Sequence, residues 1–136
     1  MENKLHSTVT LDLGGEERKI KFTITAIEEL EALLTDQNGK GNVFLLMQKE
    51  FWSVTEIIAA LYCGLKVFDR KLTTGTVKQW VTEYCEGNQI MELRLYAMSA
   101  LGLSGLIANN KAVFADILTV LQKDKVEQVE EEKPGE

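Results

Sequence analysis

The sequence predicts a mostly α, α+β fold: an N-terminal β-hairpin followed by about five helices in one compact domain. Three observations carry that reading. Residues 6–13 and 16–24 alternate polar and apolar around Gly14-Gly15, and two adjacent glycines between alternating runs give a hairpin, since both tolerate the positive φ of a tight primed turn. From Thr25 onward the apolar spacing changes from every second residue to every third or fourth, the signature of amphipathic helices. The chain has 136 residues, 45% of them hydrophobic and 26% charged, which suits one domain able to bury a core.

Each helix has its own local signal. Thr25 and Glu28 have the spacing of a capping box that opens a helix carrying Ile27, Leu30, Ala32, Leu33 and Leu34 and ending by Asp36. Residues 35–42 gather turn formers and read as an exposed loop, and residues 43–51 read as a short buried helix. Ser53 and Glu56 repeat the box and start a helix with Ile57, Ile58, Leu61, Tyr62 and Leu65 on one face, closing near Gly64; Trp52, just before the cap, is placed to staple its start. After a charged break at 66–74, Val77, Trp80, Val81, Tyr84 and Cys85 mark a further helix, with Gly87-Asn88 suited to its C-terminal cap. A long pattern runs from Gln89 through Ile90, Leu93, Tyr96, Ala97, Ala100 and Leu101, interrupted around Gly102 and Gly105. A last helix is expected over about 111–121, with Val113, Phe114, Ile117, Leu118 and Leu121 inward.

This places one domain over 1–122, with the hairpin at 6–24 and the helical body at 25–122. Residues 123–136 hold six acids, three lysines, two valines and the one proline, too little apolar surface to offset the entropy of ordering, so an acidic disordered tail is expected there.

Charge and motifs narrow the function by exclusion. A net charge of −6 and a pI near 4.9 argue against a duplex nucleic-acid binder, which needs a basic stripe to displace phosphate counterions. No apolar run reaches the roughly 20 residues a membrane helix requires, and the first residues carry no apolar signal core, so a cytoplasmic protein is expected. Cys63 and Cys85 lie in separate helical patterns and form no Cys-x-x-Cys pair; both are expected reduced. The segment Asp36-Gln37-Asn38-Gly39-Lys40-Gly41 begins like a calcium loop, but Lys40 stands where an oxygen ligand belongs and Met47 where the bidentate glutamate belongs. The same segment lacks the first glycine and the hydroxyl residue of a phosphate loop. His6 is the single histidine, and no nucleophile, base and orienting group fall into a recognisable set. No catalytic residue, cofactor or metal site is assigned, and the chain reads as a non-enzymatic binding body.

The order of these segments resembles a known family. The run Thr8-Val9-Thr10-Leu11-Asp12-Leu13-Gly14-Gly15, then Lys19-Ile20-Lys21-Phe22-Thr23-Ile24-Thr25-Ala26-Ile27-Glu28-Glu29-Leu30-Glu31, is similar to the N-terminal part of tail assembly chaperones of long-tailed (siphovirus-type) bacteriophages and prophages. Ile57-Ile58-Ala59-Ala60-Leu61-Tyr62-Cys63-Gly64-Leu65, a charged break, and Val81-Thr82-Glu83-Tyr84-Cys85-Glu86-Gly87 are similar to the middle of that family, and the resemblance covers roughly residues 7–108. It implies a protein of the host bacterial cytoplasm that binds and solubilises the tape-measure protein during tail morphogenesis, with the tail-tube protein as a further partner. It also implies that residues 123–136 suit a linker to a longer, frameshifted form. Self-association is expected from the number of apolar helix faces and the open hairpin edge. The family supplies no transferable binding motif, so amphipathicity alone places the partner-binding face on the two middle helices, at Ile57, Leu61, Trp80, Val81 and Tyr84. The alternative is a structural tail or connector component retained in the virion, although a tail-tube subunit needs more strand than one hairpin.

Overall fold

A computed structural model describes residues 7–38, 41–107 and 116–122. Gly14 and Gly15 take φ of +68° and +81°, the successive left-handed residues that a primed two-residue turn demands. They join β1 (Val9–Leu13) to β2 (Glu16–Ile20), an antiparallel pair closed by Leu13 opposite Glu16. Val9, Leu11 and Leu13 are buried while Thr10 and Asp12 turn outward, so the period-two pattern maps onto one inner face. The second strand ends at Ile20, earlier than the expected Ile24, because Phe22 turns into the core and the helix begins almost at once; His6 lies outside the described residues. The hairpin edges are met at one end each: the Lys21 N–H donates to the Gly64 carbonyl at 3.2 Å, and Gln122 Nε2 donates to the Thr10 carbonyl at 3.5 Å.

Helix α1 (Ile24–Asn38) is capped by Thr23, not by Thr25. Thr23 Oγ1 accepts the Ala26 N–H at 3.1 Å, and the Thr23 carbonyl accepts the Ile27 N–H at 2.9 Å. Both threonines offer a hydroxyl, and the apolar flanks decide between them. With Thr23 as cap, the preceding Phe22 and the fourth helical residue Ile27 are both buried, as a hydrophobic staple requires; with Thr25 those positions would be the exposed Ile24 and the charged Glu29. The helix also runs past the expected end at Asp36, and Thr35 ties down the connection to the next helix by accepting the Gly41 N–H at 2.7 Å.

Helix α2 (Val43–Gln48) is capped by Asn42 and buries only Val43 and Leu46. It is shorter and more exposed than the buried helix expected over 43–51, since fewer than two turns cannot turn every apolar side chain inward. Helix α3 (Val54–Lys66) opens with the full Ser53/Glu56 capping box and packs against α1, β2 and the two helices after it. Gly64 is not its end. It lies within the last turn because Ile20 and Phe22 occupy the space a Cβ would need.

Helix α4 (Thr74–Tyr84) starts at a Thr73 cap and buries Val77 and Val81. Its end is capped by a side chain, Asn88 Nδ2 donating to the Tyr84 carbonyl at 3.1 Å, and Gly87 does not take the left-handed conformation. Helix α5 (Ile90–Leu103) buries Leu93, Tyr96 and Ala97 and then every residue from 99 to 103. Together with α3 it forms the middle of the core. A final helical segment at 116–122 keeps Ile117, Leu118 and Leu121 half-buried; the expected inward Val113 and Phe114, and the tail at 123–136, lie outside the described residues.

Candidate partner-binding surface

Ile57, Leu61 and Val81 are 1%, 0% and 5% exposed, so three of the five residues expected on a partner-binding face belong to the core. The reason is topological. The apolar face of α3 that the periodicity marks is turned toward α4 and α5, and that of α4 toward α3 and β1, and helices satisfied this way leave nothing for a partner. Trp80 and Tyr84 remain half-buried, and each is engaged within the chain.

Trp80 lies against the Gly14 backbone, and the Arg18 guanidinium stacks over its ring at 4.0 Å from the centroid. Arg18 in turn donates through Nε to the Leu13 carbonyl at 2.9 Å and through Nη2 to the Gly14 carbonyl at 3.4 Å. The indole therefore seats the hairpin turn on α4. The Tyr84 hydroxyl donates to Glu92 Oε1 at 2.6 Å; burial, and then that bond to a carboxylate, push its pKa up.

The apolar surface that does face solvent lies elsewhere. Phe44, Leu45, Phe51 and Val54 are 53%, 58%, 66% and 56% exposed, and they fall together in α2, its connection to α3 and the first turn of α3. Scattered exposed apolar residues are ordinary, but four large ones within eleven positions are a concentration along the chain, here termed a ridge. The backbone beneath it is braced. Trp52, 5% exposed, donates its indole N–H to the Leu46 carbonyl at 2.9 Å, and Arg94 Nη2 donates to the Lys49 carbonyl at 2.9 Å. Lys49 Nζ reaches Glu56 Oε2 at 2.6 Å, while Glu56 Oε1 accepts the Ser53 N–H at 2.8 Å. A ridge held from below by this many bonds presents its side chains at little ordering cost.

Glu56 makes this brace sensitive to acid. Burial opposes its ionisation, but the Lys49 ammonium and the Ser53 N–H outweigh burial and hold the carboxyl below its ordinary 4.5. A carboxyl with a depressed folded-state pKa stabilises above its unfolded pKa, and the contribution is lost as pH falls through the folded value. Urea unfolding of wild type is expected to weaken below pH 4.5 more steeply than that of Glu56→Gln, with the two chains diverging most at neutral pH. Parallel pH profiles for the two chains would show that Glu56 holds nothing.

Sequence periodicity overlooked the ridge because Val43-Phe44-Leu45-Leu46-Met47 is apolar on all sides and reads as buried. The overlooked signal was length: six helical residues cannot hide so many apolar groups. Among the described residues no three His, Cys, Asp or Glu side chains converge as metal ligands, and no helix is long and apolar enough to cross a membrane. The Cys63 thiol is pushed up to about 12 by burial, with Glu29 adding to the shift, which removes it as a nucleophile at neutral pH. No family model matches the chain, and neither a curated protein nor a solved structure is significantly similar to it.

Proposed function

We propose that this chain is a tail assembly chaperone of a long-tailed bacteriophage or prophage, acting in the bacterial cytoplasm to bind and solubilise the tape-measure protein without enzymatic chemistry. The observation that carries the proposal is the braced apolar ridge of Phe44, Leu45, Phe51 and Val54 on an acidic body, taken with the hairpin-then-helices order that resembles the family. A tape-measure protein is long, helical and amphipathic. Such a helix lays apolar side chains at i, i+3, i+4 and i+7 onto a complementary apolar surface, and the ridge offers one. The net charge of −6 keeps the resulting complexes apart in solution.

Co-expression with a tape-measure protein encoded in the same genome tests the proposal. The wild-type chain is expected to raise the soluble fraction of that protein. The double variant Phe44→Ser with Phe51→Ser keeps the fold, because both rings are exposed, and loses the effect, each truncation costing about 1–3 kcal/mol of binding. No gain in solubility with the wild-type chain rejects the proposal. The competing reading, a tail or connector component that stays in the virion, predicts abundance in purified particles; a sheet of two five-residue strands gives it little to build a ring from.

A further inference from the structure

A two-stranded ribbon leaves two edges, and the chain treats them unequally. Bonded and non-bonded residue pairs alternate along an antiparallel ribbon, and a two-residue turn makes Leu13 and Glu16 the first bonded pair. Arg18 and Ile20 therefore spend their backbone groups on β1, while those of Glu17 and Lys19 point away from it, along the outer edge of β2. Lys21 continues that outward row, and its N–H is the one met by the Gly64 carbonyl. The backbone groups of Glu17 and Lys19 have no partner among the described residues. On the opposite edge, Gln122 already meets the Thr10 carbonyl.

A groove of about 290 Å³ runs beside the β2 edge. Its hairpin wall is Glu17, Arg18 and Lys19, and across from them stand Leu65 and the half-exposed Phe68. An edge with outward donors and acceptors beside apolar surface is a template for an added strand. The side chains select which strand. Glu17 and Lys19 are exposed, carry opposite charge two residues apart, and form no ion pair among the described residues. When two copies of β2 run antiparallel about a two-fold axis at Arg18, both outward residues of one copy meet both of the other, and each pair joins Glu17 to Lys19. The neighbouring registers that keep outward groups paired set Glu17 against Glu17 or Lys19 against Lys19, and directly opposed like charges are destabilising. Charge complementarity therefore picks one partner and one register.

We infer that the chain pairs with a second copy of itself through β2, in the register that sets Glu17 of each copy opposite Lys19 of the other, so that the two hairpins form one continuous sheet. Each bonded pair exchanges both of its N–H···O bonds, which uses the outward groups that the monomer leaves unmet. Arg18 meets its own counterpart at the axis, but its guanidinium lies over Trp80 and donates to the Leu13 and Gly14 carbonyls, toward its own turn. The two-fold axis sends the two guanidinium groups in opposite directions. Because both copies use the same edge, the contact is isologous and closes at two chains. The inference goes beyond the proposed function and involves none of the Phe44–Val54 ridge residues.

The test is sedimentation velocity and amide hydrogen exchange of the full chain over rising concentration, with Phe44→Ser and Phe51→Ser in place so that the ridge does not associate. This parent is expected to dimerise, and its Glu17 and Lys19 amides to exchange at least about tenfold more slowly once dimer predominates. The Asp12 amide, outward on the β1 edge, is expected not to change. Adding Glu17→Lys or Lys19→Glu sets like charges opposite each other in both pairs, and each is expected to weaken dimerisation at least about tenfold. An equimolar mixture of those two variants restores opposite charges in every pair, and so does one chain carrying both changes; each is expected to dimerise like the parent. A parent that stays monomeric at millimolar concentration, protection at Asp12 instead of Glu17 and Lys19, single variants that dimerise normally, or a mixture that stays monomeric would each overturn the assignment. Both charged side chains are exposed, so the variants are expected to fold; if one did not, the exchange pattern of the parent would decide alone.

Discussion

A Gly14→Ala chain is expected to lose about 3 kcal/mol of stability, read as a lower urea midpoint with an unchanged slope. Two penalties add. The residue sits at φ +68°, where an L side chain costs roughly 1–2 kcal/mol. Its Cβ would also stand 2.6 Å from Trp80 Nε1 and 2.7 Å from Trp80 Cδ1, distances that force the indole to move. Displacing that ring breaks the Arg18 stack and loosens the hairpin from α4, with an overpacking cost of about 1–3 kcal/mol. Gly15 is the internal control: its φ is +81°, but no atom lies within 4 Å of the position a Cβ would take. Gly15→Ala is therefore expected to lose only the strain term, about 1–2 kcal/mol. Equal losses at the two glycines would mean that the Trp80 seat does not hold the turn.

Leu61→Ala is expected to cost about 3 kcal/mol, within the range for truncating a fully buried leucine. Leu61 is 0% exposed in the middle of α3, the helix against which α1, β2, α4 and α5 all pack, so the cavity has little chance to collapse. Against a total of roughly 5–15 kcal/mol for a domain, that loss is large. Phe51→Ala provides the contrast: at 66% exposure it is expected to change stability by less than about 0.5 kcal/mol. If Leu61→Ala instead left the unfolding curve in place and abolished partner binding, the face read from periodicity would be a contact surface after all, and the burial of α3 would be in error.

Local physics made much of this fold legible in the sequence. The hairpin followed from Gly14-Gly15, since only glycine takes two successive left-handed residues without strain. The start of α3 followed from the Ser53/Glu56 box, whose reciprocal bonds are made by residues three apart and need no distant partner. Where two local signals competed, nothing local ranked them. Thr23 and Thr25 are both able caps, and the burial of Phe22 and Ile27, a tertiary event, selected Thr23. Gly64 carried the same ambiguity: a glycine near a helix end reads as a terminator, yet here it makes room for Ile20 and Phe22 arriving from the hairpin.

The candidate surface was the least legible part. Periodicity shows that Ile57, Leu61, Trp80, Val81 and Tyr84 share apolar faces, but an apolar stripe has the same spacing whether it meets another helix of the chain or a partner. The ridge at Phe44, Leu45, Phe51 and Val54 depends on how little of α2 the body covers. By itself the sequence determined the fold class, the turn and the helix-forming segments, because each is set by residues within about four positions of one another. Only the tertiary structure decided which apolar faces are spent on the core and which stay exposed, because both depend on contacts between residues far apart in the chain.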